Sequence, residues 1–413
     1  MKALRIRRSI PRFAAARLAG SVAAGAGAQY GPLDLDDVDA PDLPGPDWVR
    51  IRPRLSGICG SDLSTVDGTA SRYFEPIVSF PFVPGHEVVA DSDRDERVVL
   101  EPVLGCVARG IEPPCPACGR GDLGNCERLA FGHLAAGLQS GFCCDTGGGW
   151  STSMVAHPSQ LHAVPDDLPD EAAVIVEPTA CAVHAALRHP VREGDTVVVL
   201  GAGSLGHLTI AALRRLTPAG IIVTSARYPH QRELARRLGA DQVCEAAELP
   251  RLVRRLTSSM AYRDQLTGGC DVVLDCVGDS DSIAQSLAIV RPRGTVVVVG
   301  MPNHVKLELT TLWHRETELV GAYAYGTETL ADGERRRTFD LAFDLVRAAD
   351  LGRLVTHTFA VDDFEDAISL AANAGRRGAV KVAFDLRLEK ERRHHARDEA
   401  AAASGPTTTR EHA

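Results

Sequence analysis

The pattern of apolar and polar residues divides the chain into a β-rich first part and an α/β second part. Up to about residue 100, short apolar runs are separated by Pro and Gly: MKALRI, WVRIRPRLSGI, FPFVPGHEVVA and ERVVLEPV. Short strands with turn signals between them predict a barrel-like β domain rather than a parallel sheet. We interpret the N-terminus as one strand followed by a loop, and residues 20–45, rich in Gly, Ala, Asp and Pro, as an extended loop.

From Asp195 onward, buried strands alternate with helical segments. DTVVVLGAGSLGHLTIAALRRL predicts a strand, a Gly-rich turn and a helix, and GIIVTS, HQRELARRLGA, CDVVLDCVG and GTVVVVG continue the alternation. This order is typical of a doubly wound parallel sheet. Residues 312–326 are predicted to leave this sheet and return to the first domain. Helical periodicity in residues 335–384 predicts helices that close that domain.

The turn after the first of these strands matches a dinucleotide-binding motif, G-x-G-x-x-G, between a strand and a helix. Gly201 makes the tight turn, Gly203 lets the backbone approach a pyrophosphate, and Gly206 permits close packing of helix on strand. Ser204 and Leu205 lie between these glycines, at the start of a helix whose free N–H groups suit phosphate. The motif and its context predict a dinucleotide-binding domain.

The end of the second strand of this domain carries no carboxylate. An NAD site usually places an acidic residue there, about 20 residues after the glycines, on the ribose hydroxyls. This chain has Ser225 and Arg227, with Arg232 further on. A hydroxyl and guanidinium groups suit a 2′-phosphate. We therefore favour NADP over NAD, the alternative being that Arg227 is simply a solvated loop residue.

A candidate zinc site lies in GICGSDL and FVPGHEVV. Cys59 and His86 supply a thiolate and an imidazole, and Glu177, in VEPTACAVHA just ahead of the nucleotide domain, supplies a carboxylate. Three such ligands leave the fourth position of a tetrahedral zinc free for water or an alcohol, whose pKa zinc lowers. Glu87 is either a ligand itself or a carboxylate that supports one, and Asp62 is a candidate for the supporting role. The sequence does not show whether Glu87 or Glu177 is the direct ligand.

Four of the eleven cysteines form a second candidate metal site, with the spacing C-x8-C-x2-C-x7-C. Four thiolates from one short loop complete a tetrahedral shell, as structural zinc requires. In a long, enzyme-like chain this spacing indicates metal rather than disulfides. The wide first gap makes the first cysteine the least regular ligand. The four residues are Cys106, Cys115, Cys118 and Cys126.

Length and composition limit the remaining possibilities. A chain of 413 residues suits two domains, and 45% apolar with 24% charged residues is ordinary for a globular protein. The net charge of −9 argues against nucleic acid or an anionic membrane as partner. The basic, Ala-rich N-terminus superficially resembles a signal peptide, but Arg12 and Arg17 interrupt its apolar part. We expect a cytoplasmic protein that acts on a small molecule.

Taken together, the motifs resemble the zinc-dependent medium-chain alcohol dehydrogenases, in particular their sorbitol and threonine dehydrogenase branch. The resemblance rests on GICGSDL, PGHE, the cysteine lobe, VEPTACAVHA and VLGAGSLG, in the order that family shows. It implies an α/β protein in which a GroES-like, β-rich catalytic domain is split in sequence around a Rossmann domain, and a homodimer or homotetramer. The implied parts are residues 1–178 with a zinc lobe at 105–128, 179–320, 321–386 and a disordered tail at 387–413.

The resemblance also implies roles for single residues. Ser61, two residues after the zinc cysteine, relays the substrate proton, and Lys381 lies near the cofactor phosphates. Many relatives carry a His five residues after that cysteine, where this chain has Ser64, so the route of the proton beyond Ser61 is left unassigned. Glu177 replaces the third cysteine ligand of typical alcohol dehydrogenases, as in the polyol branch, where the carboxylate reaches zinc directly or through water.

The leading interpretation is a zinc-dependent oxidoreductase that transfers hydride between an alcohol and NAD(P), with one catalytic and one structural zinc. By the resemblance, the alcohol is secondary or a polyol. Two alternatives are a zinc-free, NADPH-dependent reductase of activated double bonds and a protein that binds NADPH without turnover. Intact Cys59, His86 and Glu177 argue against the first, and no broken glycine motif supports the second.

Overall fold

Two sheets carry the fold of the computed structural model, which describes residues 1–388. One sheet has seven mostly antiparallel strands, and the other has six parallel strands. Residues 389–413, the larger part of the predicted disordered tail, lie outside the described residues. None of the helices described within residues 1–388 is long and apolar enough to cross a membrane.

The first part of the chain forms most of the antiparallel sheet. The strands of this part are β1 (Lys2–Ile6), β2 (Leu33–Asp37), β3 (Val49–Gly57), β4 (Val88–Ser92), β5 (Arg97–Leu100), β6 (Met154–Ala156) and β7 (Leu161–Ala163). Strands β1 and β2 form a separate two-stranded sheet. Its helices are α1 (Ile10–Val22), α2 (Gly27–Tyr30), α3 (Gly60–Val66), α4 (Pro116–Arg120), α5 (Asp170–Ala173) and α6 (Val176–Leu187). Buried and half-buried residues alternate along the first six positions of β3, as expected for a sheet with one face on the core.

The prediction of a loop after the first strand is wrong, because α1 occupies that stretch. The segment IPRFAAARLAGSV has a proline in its first turn and five helix-favouring alanine or leucine residues. Only Ala16 is buried, so the helix lacks the apolar stripe that would have revealed it in the sequence. The segment is held to the end of α3, since the Asp67 carboxylate accepts the N–H groups of Gly25 and Gly27 at 2.9 Å each.

The second part of the chain is the predicted doubly wound domain. Its strands are β8 (Thr196–Leu200), β9 (Ile221–Ser225), β10 (Gln242–Cys244), β11 (Ala261–Tyr262), β12 (Gln265–Leu266), β13 (Cys270–Asp275), β14 (Val290–Val298) and β15 (Glu318–Gly321). Its helices are α7 (Ser204–Leu216), α8 (Pro229–Leu238), α9 (Leu249–Leu256), α10 (Ser280–Ile289) and α11 (Thr310–His314). The parallel sheet has the strand order β10-β9-β8-β13-β14-β15, which confirms the predicted α/β class.

The chain then returns to the first sheet, but later than the sequence predicted. Residues 312–326 were expected to leave the parallel sheet, yet β15 within them is its edge strand and pairs with β14. The four residues ELVG are mostly exposed, so they lack the apolar run of a central strand. The remaining elements are β16 (Thr327–Thr329), β17 (Arg335–Arg337), α12 (Thr338–Ala348), β18 (Val355–Phe359), α13 (Phe364–Ala372), α14 (Ala374–Arg377) and β19 (Lys381–Asp385).

Strand β19 completes the antiparallel sheet and brings the end of the chain to its beginning. It pairs antiparallel with β3 and parallel with β18, giving the order β18-β19-β3-β4-β5-β7, with β6 also on β3. The β-rich part is therefore built from both ends of the chain. Short 3-10 turns complete the fold at Arg72–Ile77, Leu123–Asn125, Pro158–Gln160, Ala246–Glu248, Leu351–Leu354 and Val361–Asp363.

Candidate metal and cofactor site

Three of the predicted ligands meet where β3 ends and β4 begins. Cys59 follows β3, and His86 and Glu87 directly precede β4, so the antiparallel pairing of these strands brings them together. One ligand atom from each lies within 4.8 Å of the others. His86 is 4% exposed and Glu87 is fully buried. A thiolate, an imidazole and a carboxylate at this spacing fit a zinc ion that keeps one position open.

Asp62 supports both His86 and the start of α3. Its Oδ1 lies 3.5 Å from Nδ1 of His86, and its Oδ2 accepts the backbone N–H of Cys59 at 3.0 Å. Burial alone lowers the pKa of His86, but the Asp62 carboxylate outweighs it, and the pKa is raised well above its usual value. A carboxylate on one ring nitrogen is the usual way to orient the other nitrogen toward a metal.

Among the described residues, Glu177 is not part of the compact set formed by Cys59, His86 and Glu87, although it lies near it. It is in the first turn of α6 and 4% exposed. Burial raises the pKa of Glu177 to about 7, and the charge of Glu87 acts in the same direction, whereas His86 and Lys381 oppose it. One helical turn further on, the thiol of Cys181 donates to Oε1 of Glu177 at 3.8 Å.

The predicted role of Lys381 at the cofactor phosphates needs correction. Lys381 is 4% exposed, and its ammonium group forms an ion pair with Glu87 and donates to the carbonyl of Ile58 at 3.2 Å. Burial alone lowers the pKa of Lys381, but the carboxylate of Glu87 outweighs it and the pKa is raised. The sequence placed a charged residue correctly near the active region, but its partner is the buried carboxylate, which leaves no free ammonium group for phosphate.

The predicted proton relay begins in the first turn of α3. Ser61 is half-buried, two residues after Cys59 and in the first turn of the helix. Ser64, which replaces the histidine of many relatives, donates its hydroxyl to the backbone carbonyl of Gly60 at 2.9 Å. That hydrogen bond turns the Ser64 side chain back onto its own helix, so Ser64 is not aligned to carry a proton away from Ser61.

The four lobe cysteines also converge, Cys106 included, with ligand atoms within 4.8 Å of one another. Backbone N–H groups point at their sulfur atoms: Cys115 N–H donates to Cys106 Sγ at 3.3 Å, and Glu127 N–H to Cys115 Sγ at 3.5 Å. Burial alone raises the pKa of Cys115, but the N–H groups of Cys118 and Glu127, together with the neighbouring sulfur atoms, bring it to about 7, whereas burial raises the pKa of Cys126 to about 11. Such N–H···S bonds stabilise thiolates and fit a closed four-thiolate zinc site.

The glycine turn has the shape that a dinucleotide requires. Gly201 has φ +95°, a left-handed conformation that favours glycine. A Cβ at Gly206 would lie 1.9 Å from the carbonyl of Gly201, so helix and turn pack in contact. A Cβ at Gly203 would meet no atom within 4 Å, so this is the open side of the turn, where Ser204 and Leu205 begin α7. The residues therefore fit a pyrophosphate at the helix N-terminus.

The predicted 2′-phosphate residues differ in availability. Ser225 accepts the backbone N–H of Gly201 at 3.3 Å and is 5% exposed. Arg227 is exposed at the end of β9. Arg232 donates to the carbonyls of Ala226 and Arg227 and pairs with Glu245 at 2.6 Å, so its guanidinium group holds the turn. Of the two arginines, Arg227 is the one placed to meet a ligand.

Two residues near Glu177 were not assigned from the sequence. Cys181 and His184 follow Glu177 at spacings of four and seven, which place all three on one face of α6, so the helical period contained this signal. Opposite that face, the Tyr325 side chain is 2% exposed. No local sequence pattern relates residue 325 to residue 177, so their proximity is seen only in the folded chain.

Comparisons with known proteins match both parts of the chain. Residues 45–166 match the alcohol dehydrogenase GroES-like domain, and residues 204–346 match the zinc-binding dehydrogenase domain. The chain is 28% identical to L-idonate 5-dehydrogenase of Vitis vinifera, over 83% of this chain and 89% of that one. It is 27% identical to sorbitol dehydrogenase of Arabidopsis thaliana, again over 83% and 89%.

A solved structure from Sinorhizobium meliloti, assigned as a zinc-binding dehydrogenase and bound to NADP, has the same fold. It superposes with a TM-score of 0.68, covering 93% of this chain and 98% of that one at 23% identity. The predicted combination of zinc with NAD(P) is confirmed at the level of the family, and the zinc-free and non-catalytic alternatives are disfavoured. The chain belongs to the zinc-dependent medium-chain dehydrogenases, in their sorbitol and threonine dehydrogenase-like branch, and is an oxidoreductase that transfers hydride between an alcohol and NAD(P).

Proposed function

We propose that this oxidoreductase acts on a secondary alcohol or polyol at a zinc held by Cys59, His86 and Glu87. The observation that carries the assignment is the compact arrangement of these three ligand atoms, within 4.8 Å of one another. Zinc supplies Lewis acidity to the substrate oxygen, and the dinucleotide accepts or donates the hydride. Glu177, on the neighbouring helix, then faces the substrate side of the site rather than completing the ligand set.

The residues of the chain divide the remaining work. Asp62 orients His86, and Lys381 balances the charge of Glu87. Ser61, two residues from Cys59 and half-buried in α3, relays the proton of the substrate hydroxyl: its oxygen accepts that proton while its own O–H passes one on to water. Helix α6 connects the metal region with the dinucleotide-binding turn, since Glu177 is in its first turn and its end leads directly to β8 and the glycine turn.

For the cofactor, we propose NADP. Strand β9 ends in Ser225, and the next charged residue, Arg227, is exposed, so a positive charge stands where an NAD site has a carboxylate. A 2′-phosphate is a strong partner for a guanidinium group, which binds it with two parallel hydrogen bonds. Lys381 and Arg232 have no part in this proposal, because their charges are used within the protein.

For the substrate, the names of the relatives give the class. L-Idonate and sorbitol are polyhydroxylated carbon chains, and both proteins are dehydrogenases. At 27–28% identity the fold and the metal chemistry carry over better than the shape of the pocket. We therefore extend to this chain the class, a secondary alcohol within a polar molecule, and not either compound.

We also propose a homodimer or homotetramer in the cytoplasm. Strand β15 is an edge strand, and Leu309, Trp313 and Leu319 near it are 54%, 78% and 37% exposed, an apolar surface next to unpaired backbone groups. All eleven cysteines lie in the described part of the chain and are free thiols, which suits a reducing compartment. Light scattering of the purified protein tests the assembly, and a monomer at all concentrations would contradict it.

The function is tested by an activity screen of the zinc-loaded protein. Polyols, secondary alcohols, amino alcohols and the corresponding carbonyl compounds are each offered with NADP(H) and with NAD(H). We expect turnover of at least one secondary alcohol, with a higher kcat/KM for NADP than for NAD. Full activity of metal-free protein, or reduction of activated double bonds without any alcohol oxidation, would overturn the proposal.

A further inference from the structure

Tyr325 has a buried hydroxyl group that points toward the catalytic region. The side chain is 2% exposed, and its ring packs edge-on against Phe339, with centroids 4.8 Å apart. Within residues 1–388, its hydroxyl has no hydrogen-bond partner of good geometry. A buried hydroxyl without a hydrogen-bond partner lowers the stability of the fold, unless it forms a hydrogen bond at some stage of the protein's function.

The candidate partner for the Tyr325 hydroxyl is the carboxylate of Glu177. Burial is the main influence on the pKa of Glu177 and raises it, and the Tyr325 hydroxyl acts in the opposite direction because its O–H favours the ionised carboxylate. The charge of Glu177 is in turn among the causes that raise the pKa of Tyr325, so the two side chains lie close enough to interact. Cys181 contacts Glu177 from within its own helix, so Tyr325 is the donor that approaches from the other wall of the site.

The position of Tyr325 is set by the cysteine lobe. Gly124, in the turn between Cys118 and Cys126, donates its N–H to the carbonyl of Tyr325 at 3.2 Å. A Cβ at Gly124 would lie 2.9 Å from Cβ of Ala324, the residue beside the tyrosine. The lobe backbone thus lies directly against the segment that carries Tyr325.

Two further contacts make this junction rigid. A Cβ at Gly326 would lie 2.3 Å from the carbonyl of Gly121, and a Cβ at Gly121 would lie 2.5 Å from Oγ1 of Thr327. Arg335 also donates to the carbonyl of Arg120 at 2.6 Å. The junction is made mainly by backbone and by short side chains, which cannot change conformation to absorb a shift, so a shift of the lobe is transmitted to Tyr325.

We propose that Tyr325 is a positioning residue for Glu177, and that the metal-bound lobe acts on the reaction by holding Tyr325 in place. This inference rests on the proposed role of Glu177 on the substrate side of the site. When Tyr325 donates its O–H, one carboxylate oxygen of Glu177 is fixed and the other is directed at the substrate hydroxyl. The lobe then has a part in catalysis besides stabilising the fold.

The first test compares Tyr325→Phe with the wild-type holoenzyme. We expect kcat to fall about tenfold or more, the effect of losing one hydrogen bond to a charged group. We also expect a changed visible spectrum when cobalt(II) replaces the exchangeable zinc, with the zinc content of the lobe and the Kd for NADP unchanged. Wild-type kcat and an unchanged cobalt spectrum in Tyr325→Phe would overturn the role of Tyr325.

The second test concerns the lobe. In Gly124→Ala the new methyl group would contact Ala324 and displace the segment that carries Tyr325. We expect kcat and the cobalt spectrum to change in the same direction as in Tyr325→Phe, with the lobe metal retained. Gly119→Ala is the matched control, because a Cβ at Gly119 meets no atom within 4 Å. Wild-type behaviour of Gly124→Ala would overturn the role of the lobe. A wild-type enzyme without turnover on any alcohol would instead overturn the proposed function, so the two failures are distinct.

Discussion

At the scale of single residues, two buried carboxylates with different surroundings share the metal region. Glu87 has a fixed positive partner in Lys381 and lies in the compact set with Cys59 and His86. Glu177 has no cation in direct contact among the described residues, and burial raises its pKa to about 7. A carboxylate with a permanent counter-charge suits a ligand, whereas one that is close to neutrality suits hydrogen bonding to a substrate.

This difference predicts opposite results for the two amides. Glu87→Gln should lower the zinc content from about two to about one per chain, because an amide is a poor zinc ligand. Glu177→Gln should keep both zinc ions but lose roughly tenfold or more in kcat, because the amide replaces a charged hydrogen-bond partner of the substrate hydroxyl. Zinc is measured by plasma emission spectroscopy and kcat by NADPH absorbance.

Two controls make this comparison decisive. Glu87→Gln leaves the Lys381 ammonium group buried without its partner, so the double variant with Lys381→Met separates loss of zinc from loss of folding. Glu75→Gln, at a carboxylate that is 51% exposed, should change neither quantity. Retention of two zinc ions by the folded double variant, together with their loss in Glu177→Gln, would exchange the roles of the two carboxylates.

The proposed preference for NADP over NAD depends on one exposed side chain, Arg227. Arg227→Asp restores the carboxylate of an NAD site and removes a charged hydrogen-bond donor worth about 1.5–3 kcal/mol. We expect the ratio of kcat/KM for NADP to that for NAD to fall at least tenfold. Arg237→Asp, on the exposed face of α8, should leave this ratio unchanged. A tenfold preference of the wild-type enzyme for NAD would contradict the assignment.

The sequence was most informative where one residue has one chemical use. Cys59, His86 and the three glycines of the turn stand out in the sequence because these residue types at this spacing serve few purposes besides metal and dinucleotide binding. Lys381 was misassigned because a lysine has many partners, and only the fold shows that β19 lies next to Glu87. Tyr325 was not recognised because its relation to Glu177 depends on packing between segments that are far apart in the chain.

At the scale of elements, the cysteine lobe is a small unit with almost no regular structure. It contains the five-residue helix α4 and one 3-10 turn, so hydrogen-bonded elements alone would not hold it. Arg109 adds stability from inside: it is fully buried and donates to five backbone carbonyls, among them those of Leu104 and Gly137. Metal at the four cysteines is therefore expected to be part of its folding.

Cys118→Ser tests the lobe as a metal site. We expect one zinc per chain in place of two, a lower Tm, and catalytic zinc that is still present, because the remaining three thiols no longer complete the shell. Cys244→Ser, at a half-buried thiol outside the lobe, should keep both zinc ions. A wild-type protein with one zinc, whose content Cys118→Ser does not change, would show that the lobe does not bind metal.

Element prediction succeeded in the interior and failed at the surface. Strands β8, β9 and β13 are continuous buried runs, so their apolar pattern leaves little choice. Helix α1 and strand β15 are mostly exposed, and neither has an apolar face that the sequence would reveal. Their positions follow from neighbours that are distant in the chain, such as Asp67 for the N-terminal segment.

At the scale of the whole molecule, the two parts meet around the active region through contacts from several segments. Asn303 of the nucleotide domain donates to the carbonyl of Thr69 at 2.7 Å, close to the end of α3. A Cβ at Gly375, near the end of the β-rich part, would lie 2.8 Å from the Tyr228 ring at the start of α8. The site is thus assembled by the complete fold, and the sequence could only predict its parts.

One buried carboxylate, that of Asp170, connects segments that are far apart in the chain. Its side chain is 5% exposed and contacts Arg54 of β3 at 2.9 Å, Arg97 of β5 at 3.2 Å and Arg387 after β19 at 3.4 Å. It therefore ties both ends of the chain to the start of α5, and α5 leads into α6 and Glu177. Arg54 keeps a second partner in Asp91 and Arg387 keeps one in Asp385, so losing the Asp170 charge removes charged hydrogen bonds worth about 1.5–3 kcal/mol.

We expect Asp170→Asn to lower the free energy of unfolding in urea by about 1.5–3 kcal/mol, because the charged hydrogen bonds from three arginines are weakened. The matched control is Asp167→Asn, three residues earlier, whose carboxylate is 70% exposed and pairs with Arg347 at 2.9 Å. An exposed pair contributes at most about 1 kcal/mol, so the control should unfold close to the wild-type midpoint. Equal midpoints for both variants would mean that the ends of the chain are held together by the sheet alone and that the buried charges are dispensable.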